Sequence, residues 1–91
     1  MTDSIENLKA EIRTASQDEA IAIITRYLEL HPYSDEALTM RGMKYWGAGK
    51  RSLALNDYLA TIKINPDSRA RFALQASQEI LDYRNKDLYN P

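Results

Sequence analysis

The chain has 91 residues, of which 44% are apolar and 27% charged, and its formal net charge is -1. These values are typical of one soluble domain with a modest core. The lack of cysteine excludes disulfides, thiolate zinc sites and cysteine chemistry, and a near-neutral chain disfavours nucleic-acid binding.

The N-terminal segment predicts an amphipathic helix and no targeting signal. In the stretch DSIENLKAEIR, Ile5, Leu8 and Ile12 recur on one helical face. The segment is acidic and lacks the apolar centre of a secretory signal. Since no apolar run of the chain is long enough to span a membrane, we expect a cytoplasmic protein with no membrane contact.

A second helix is predicted to begin at Ser16, because Glu19 stands three residues later and completes the pattern of a capping box. Pro32 ends this helix, since the residue before a proline is pushed out of the α conformation. The spacing of its apolar residues matches one helical face: Ala20, Ile21, Ile24, Tyr27 and Leu28.

The third and fourth helices repeat this plan. Ser34 is a good N-cap, and the two acidic residues after it suit the positive end of a helix dipole. Gly49 is the natural left-handed residue after the third helix, and Pro66 ends the fourth. Their apolar or small residues are Leu38, Gly42, Tyr45 and Trp46 in the third helix, and Ala54, Leu55, Tyr58, Leu59 and Ile62 in the fourth.

A fifth helix is predicted over 69–84, followed by an irregular tail, 85–91, with no periodic face. One stripe of this helix is polar, and we expect it to face solvent. The opposite face is predicted to cover the end of the domain with Ala73, Ala76, Ile80 and Leu81, flanked by Phe72 and Tyr83.

The prolines of LHPYS and INPDS lie 34 residues apart, which is the length of one helix-turn-helix unit. The second unit resembles the tetratricopeptide repeat, whose pattern is W-x2-L-G-x2-Y, then A-x3-F, then P. All spacings match, with Leu38, Arg41, Gly42 and Tyr45 followed by Ala54, Tyr58 and Pro66. The first unit matches in its second half alone, through Ala20, Ile24 and Pro32.

The resemblance implies an all-α fold, a right-handed antiparallel helix-hairpin solenoid of five helices. Its units would be 1–34, with a degenerate first helix, and 35–68, and the fifth helix would be the cap. Small side chains at Gly42 and Ala54 would let the two helices of the second hairpin approach closely. The alternative is an unrelated helical bundle with a coincidental match.

Arg41 stands where the family has a core leucine. Either its stem packs in the core while its charged head reaches water, or Met40 fills the apolar volume instead.

The resemblance also implies a concave groove lined by the first helix of each unit and by the fifth helix. The groove residues would be Ile5, Lys9, Ile12, Arg13, Thr39, Met43, Trp46, Ala73, Ser77 and Ile80. Most of this lining is apolar, which is typical of an interaction site. Trp46 is either a groove residue or a member of the core.

We therefore expect a non-enzymatic module that binds a peptide or a partner helix in this groove, with no cofactor and no metal. The alternative is a homo-oligomer in which the apolar strip closes on a second copy. RNA binding through the basic residues of the second unit is a distant third. His31 and the acidic pairs at the helix starts are interpreted as structural. Lys9 alone does not make the carboxylate clamp of the co-chaperone subfamily.

Overall fold

The computed structural model describes the backbone of residues 5–89 and the side chains of residues 5–80. Over this range the protein has five α-helices and no strand, which confirms the predicted all-α, five-helix fold. The helices are α1 (Ile5–Ile12), α2 (Gln17–Leu30), α3 (Asp35–Gly47), α4 (Arg51–Ile64) and α5 (Ala70–Tyr89).

The predicted N-caps of α2 and α3 and the predicted left-handed glycine after α3 are confirmed. The Glu19 backbone N–H donates to Ser16 Oγ over 3.2 Å, and the Ser16 backbone N–H donates to Glu19 Oε1 over 2.9 Å, so both halves of the capping box are present. Ser34 Oγ accepts from the backbone N–H of Ala37 at the start of α3. Gly49 has a φ of 82°, the left-handed conformation that glycine adopts without strain.

The helices pack in chain order, each against the next, and the most extensive contact is between α3 and α4. The buried apolar residues form two clusters. The first joins α1, α2 and α3 through Leu8, Ile12, Ala20, Ile24, Leu28, Ala37, Leu38 and Met40. The second joins α4 and α5 through Ala54, Tyr58 and Ala70, with Tyr45 and Trp46 of α3 packed against it. Helix α3 therefore belongs to both clusters.

Gly42 lies where α3 and α4 approach most closely. A Cβ atom at this position would stand 2.6 Å from Tyr58 Cε1 and 3.3 Å from the carbonyl oxygen of Ala54. The first distance is well below van der Waals contact, so the absence of a side chain allows the Tyr58 ring to lie against the α3 backbone. The small residue predicted at this crossing has the expected role.

The turn after α4 is bonded to the start of α3. The Asn65 side-chain amide donates to Asp35 Oδ2 over 2.8 Å, and Asn65 Oδ1 accepts from the backbone N–H of Asp67 over 3.1 Å. One asparagine thus organises its own turn and connects it to the segment that opens the same hairpin.

The face by which α5 packs differs from the predicted one. Ala70 and Ser77 are buried, and Ala73 and Leu74 are half-buried against the second cluster. The predicted covering residues Phe72, Ala76 and Ile80 are instead exposed, Phe72 to 70%. Apolar residues occur around most of this helix, so periodicity alone did not select the side that α4 contacts. The roles predicted for the side chains of residues 81–83 lie outside the described side chains.

The fifth helix is also longer than predicted, since its backbone continues through residues 85–89 to Tyr89. The helix continues because no glycine or proline occurs between Pro66 and Pro91 to stop it. The rest of the predicted tail, residues 90–91, lies outside the described residues. Among the helices of residues 5–89, none combines the length and apolar character needed to cross a membrane.

Candidate functional site

The ten predicted groove residues differ widely in exposure. Three are exposed and accessible to a ligand: Arg13, Met43 and Ile80. Four are half-buried: Ile5, Lys9, Trp46 and Ala73. Three are buried: Ile12, Thr39 and Ser77.

The two buried hydroxyl groups are satisfied within their own helices. Thr39 Oγ1 donates to the carbonyl oxygen of Asp35 over 2.8 Å, and Ser77 Oγ donates to that of Ala73 over 2.7 Å. Both are i to i−4 bonds, a usual solution for a hydroxyl on a helix. Thr39 and Ser77 therefore serve the interior and are not offered to a ligand, in contrast to the prediction that they line an open groove.

Ile12 and Met43 are brought together at a cavity of about 390 Å³. The cavity lies at the C-terminal end of α1, the first residue of α2 and one face of α3. Its lining is Ile12, Gln17, Met40, Met43 and Lys44. Two of the predicted groove residues thus line the same cavity, although Ile12 exposes only 8% of its surface.

Three of the cavity residues were not among the predicted groove residues: Gln17, Met40 and Lys44. Met40, Met43 and Lys44 stand at i, i+3 and i+4, so they share one face of α3. This spacing could have revealed the face in advance. The sequence did not indicate that Gln17 lines the cavity, because the position of Gln17 depends on how the α1–α2 turn packs against α3.

Lys9, a predicted groove residue, and Lys44, a cavity residue, differ in their partners. Lys9 Nζ lies 2.9 Å from Glu36 Oε2 and 3.6 Å from Glu6 Oε2. The hydrogen bond to Glu36 and the two negative charges raise the pKa of Lys9 above its ordinary value, against a smaller desolvation effect. Lys44 forms no ion pair among the described residues. The cavity is therefore lined by a half-buried ammonium group that has no carboxylate partner among residues 5–80.

Trp46 has features of both predicted alternatives. It is half-buried and packs against the second apolar cluster. The Arg51 guanidinium carbon lies 4.7 Å from the centre of its ring, within the range of a cation–π contact. Part of the indole therefore contributes to the core, and a basic side chain of α4 covers another part.

Arg41 forms a paired contact that neither sequence alternative included. Its Nε donates to Asp57 Oδ2 over 2.7 Å, and its second guanidinium nitrogen donates to Asp57 Oδ1 over 2.8 Å. A third bond, of 3.2 Å, reaches Thr25 Oγ1. The head group therefore joins α2, α3 and α4 and leaves 20% of the Arg41 side chain exposed, while Met40 is buried as the second alternative proposed.

The Arg41–Asp57 pair also affects the pKa of a neighbouring side chain. Asp57 is 5% exposed, so the bidentate pair supplies the hydrogen bonds that a buried carboxylate needs. Burial, and then the negative charge of Asp57, raise the pKa of the adjacent Tyr58 phenol above its ordinary value. The Arg41 guanidinium is therefore engaged by Asp57 and Thr25, which makes Arg41 the least suitable of the basic residues of the second unit for contact with RNA.

No group of three or more metal-binding side chains comes together between residues 5 and 80. A second cavity, of about 420 Å³, lies beside the α1–α2 turn and includes Glu19, which belongs to the capping box. The ring of His31 lies against that of Tyr27, with 4.4 Å between their centres.

Comparisons with family models, with curated proteins and with solved structures found no match to this chain.

Proposed function

We propose that the protein is a small tetratricopeptide-like module that binds a protein or peptide segment and has no catalytic activity. The proposed architecture is a right-handed stack of units 1–34 and 35–68 followed by α5. Support comes from the close α3–α4 crossing at Gly42, and from the packing of each helix against the next in the chain. We propose a cytoplasmic location, which suits a chain without cysteine.

The observation that carries the binding proposal is the cavity at Met40 and Met43. Methionine side chains are flexible and polarisable, and they adapt to apolar groups of different shapes. Met43 is 41% exposed, so it reaches the surface, whereas the buried Met40 closes the inner wall. One apolar side chain of an extended peptide or an amphipathic helix would occupy this space.

Lys44 would favour ligands that carry a negative charge. Its ammonium group lines the same cavity and has no carboxylate partner among the described residues. A peptide with Asp or Glu next to its apolar anchor would pair with Lys44 while the anchor contacts the methionines. We therefore propose an acidic, amphipathic segment as the ligand of the groove.

Peptide selection would test this proposal. A random peptide library would be selected against the wild-type protein and against Lys44→Glu. We expect wild-type binders to share an apolar residue flanked by Asp or Glu, and Lys44→Glu to shift the flanking residues towards Lys or Arg. Selected peptides whose charge does not respond to Lys44→Glu would contradict the role of this residue.

Methionine methyl NMR would locate the binding site. The chain has three methionines, so few signals need assignment. Addition of a selected peptide should shift the methyl signals of Met40 and Met43. A peptide that binds without shifting either signal would place the site elsewhere. Shifts that depend on protein concentration without peptide would instead support closure of the groove on a second copy.

A further inference from the structure

The side-chain amide of Gln17 lines the cavity at Met40 and Met43 and forms no hydrogen bond within the part of the chain whose side chains are described. Gln17 is the first residue of α2 and is exposed. Its amide carries two N–H donors on Nε2 and one acceptor, Oε1. Besides the Lys44 ammonium group, the cavity therefore offers a ligand one donor–acceptor pair.

The position of this amide depends on Gly47, the last residue of α3. A Cβ atom at Gly47 would stand 3.1 Å from Gln17 Cδ and closer still to Nε2. The amide therefore occupies space that a side chain would take at any residue other than glycine. Met40, Met43 and Gly47 stand at i, i+3 and i+7, so they share one face of α3. The Gln17 amide thus lies at the C-terminal end of the helix face that lines the cavity.

An adjacent donor and acceptor suit a peptide in the extended conformation. The backbone N–H and C=O of alternate residues of an extended peptide point to the same edge, where one side-chain amide can bond to both. A helix pairs these groups internally except at its ends. A helix docked over the cavity would cover Gln17 without bonding to the amide through its backbone, and a buried polar group left unpaired disfavours binding.

We infer that the ligand of the cavity is bound in an extended conformation, with the backbone N–H and C=O of one of its residues bonded to the Gln17 amide. This inference rests on the proposed function and narrows its two classes of ligand, the extended peptide and the helix, to one. Gln17 is then a residue that determines specificity by the backbone conformation of the ligand.

Charge complementarity sets the spacing of the ligand residues. Lys44 has no carboxylate partner among residues 5–80 and lines the same cavity as the methionines. Side chains of an extended peptide alternate between its two faces, so an acidic residue on the same face as the apolar anchor stands two positions from it. In a helix the corresponding spacing is three or four residues. The row from Met40 to Gly47 covers about 10 Å of helix, which equals about three residues of an extended peptide.

Two synthetic peptide libraries would test the conformation of the ligand. Both have acetylated and amidated ends, so that no terminal charge contributes. The first fixes Leu-x-Glu among random residues, and the second fixes Leu-x-x-x-Glu in an alanine-rich helical frame. We expect the wild-type protein to favour the first library by about 5- to 30-fold, the ratio that corresponds to two hydrogen bonds with the ligand backbone.

Two variants would test the role of the amide. Gln17→Met keeps the length of the side chain and removes its donor and acceptor, whereas Gly47→Ala keeps every cavity side chain and displaces the amide. Each should raise the Kd of the tightest Leu-x-Glu peptide by about 5- to 30-fold, as measured by fluorescence anisotropy. Gln78→Met makes the same substitution at an exposed glutamine of α5 outside the cavity, and it should leave the Kd unchanged.

N-methylation of the peptide backbone, one residue at a time, gives a readout that a purely structural role of Gln17 would not change. At one position the methyl group should weaken binding to the wild-type protein by about 3- to 10-fold, because it removes the N–H that Gln17 accepts. The same methylated peptide should bind Gln17→Met as tightly as the unmethylated peptide does.

The inference is overturned if the helical library is favoured. It is also overturned if Gln17→Met binds the Leu-x-Glu peptide as tightly as the wild-type protein, or if every effect of N-methylation persists in Gln17→Met. In these cases a bound peptide that shifts the Met40 and Met43 methyl signals would still support the proposed function. If neither library binds, the proposed function fails, and this inference fails with it.

Discussion

At the scale of single residues, Gly42 sets the distance between α3 and α4. We expect Gly42→Ala to lower the free energy of unfolding by about 1–3 kcal/mol, because its Cβ would overlap the Tyr58 ring. The gain in helix propensity, up to ~1 kcal/mol, acts in the opposite direction. Urea unfolding followed by circular dichroism would measure the difference.

Gly47 is the matched control within the same helix. A Cβ at Gly47 would meet only the amide end of the Gln17 side chain, which can turn away. We therefore expect Gly47→Ala to be neutral or to stabilise by about 0.5–1 kcal/mol. A stabilised Gly42→Ala protein would show that the α3–α4 crossing is looser than described.

The Arg41–Asp57 pair is the second feature at this scale. We expect Arg41→Leu and Asp57→Ala each to cost about 1.5–3 kcal/mol, since each leaves a charged group of the pair without its hydrogen bonds. The double variant should cost less than the sum of the two, with a coupling of about 1 kcal/mol or more.

The exposed pair of Lys9 and Glu36 is the comparison for that double-mutant cycle. The same cycle there should give a much smaller coupling, because both side chains are substantially exposed to water. Additive costs for Arg41 and Asp57 would mean that their contact does not contribute to stability.

At the scale of helices, the N-terminus of α2 predicts a dependence on pH. The bond from the Ser16 backbone N–H, and then that with the Ser16 hydroxyl, lower the pKa of Glu19 below its ordinary value of 4.5. A carboxyl group with a lowered pKa in the folded state stabilises the protein above pH 4.5. This contribution is lost as the pH falls through the lowered value.

Glu19→Gln isolates this effect, since glutamine can occupy the same capping position without a charge. We expect the wild-type protein to be more stable than Glu19→Gln at pH 7, and the difference to disappear on acidification below 4.5. Urea unfolding of both proteins between pH 3 and 7 would measure it. A difference that stays constant over this range would contradict a role for the Glu19 charge.

The packing face of α5 can be tested by two truncations of similar kind. Leu74→Ala should lower the free energy of unfolding by roughly 1–2 kcal/mol, because this half-buried side chain packs against the second cluster. Phe72→Ala should change the free energy of unfolding much less, since the Phe72 side chain is 70% exposed. Equal losses from the two substitutions would favour the face predicted from the sequence.

The sequence predicted α2, α3 and α4 closely, and α5 less well. Local features of the sequence set the bounds of α2, α3 and α4: the cap at Ser16, the left-handed Gly49, and the prolines Pro32 and Pro66. The packing face of α5 depends on which side α4 meets. In the site, Ile12 and Met43 could be predicted as neighbours, but the pairing of Arg41 with Asp57 could not, because it depends on how closely α3 and α4 approach.

At the scale of the whole molecule, α3 connects the two apolar clusters, since its residues pack in both. We expect the amides in the middle of α3 and α4 to exchange with solvent most slowly, and those of α1 fastest. Helix α1 has eight residues and contributes two buried side chains, so it can open without disrupting the rest. Hydrogen–deuterium exchange by mass spectrometry would rank the helices, and a protected α1 would contradict this order.

The packing of each helix against its neighbour in the chain also has a kinetic consequence. Contacts between segments close in sequence require only short loops to close, so little chain entropy is lost before the first contacts form. Helical proteins of this kind reach the native state in microseconds to milliseconds. We expect refolding in this range, with the α3–α4 hairpin as the nucleus because its two helices share the most extensive contact. Each hairpin could then form while the rest of the chain is still being synthesised.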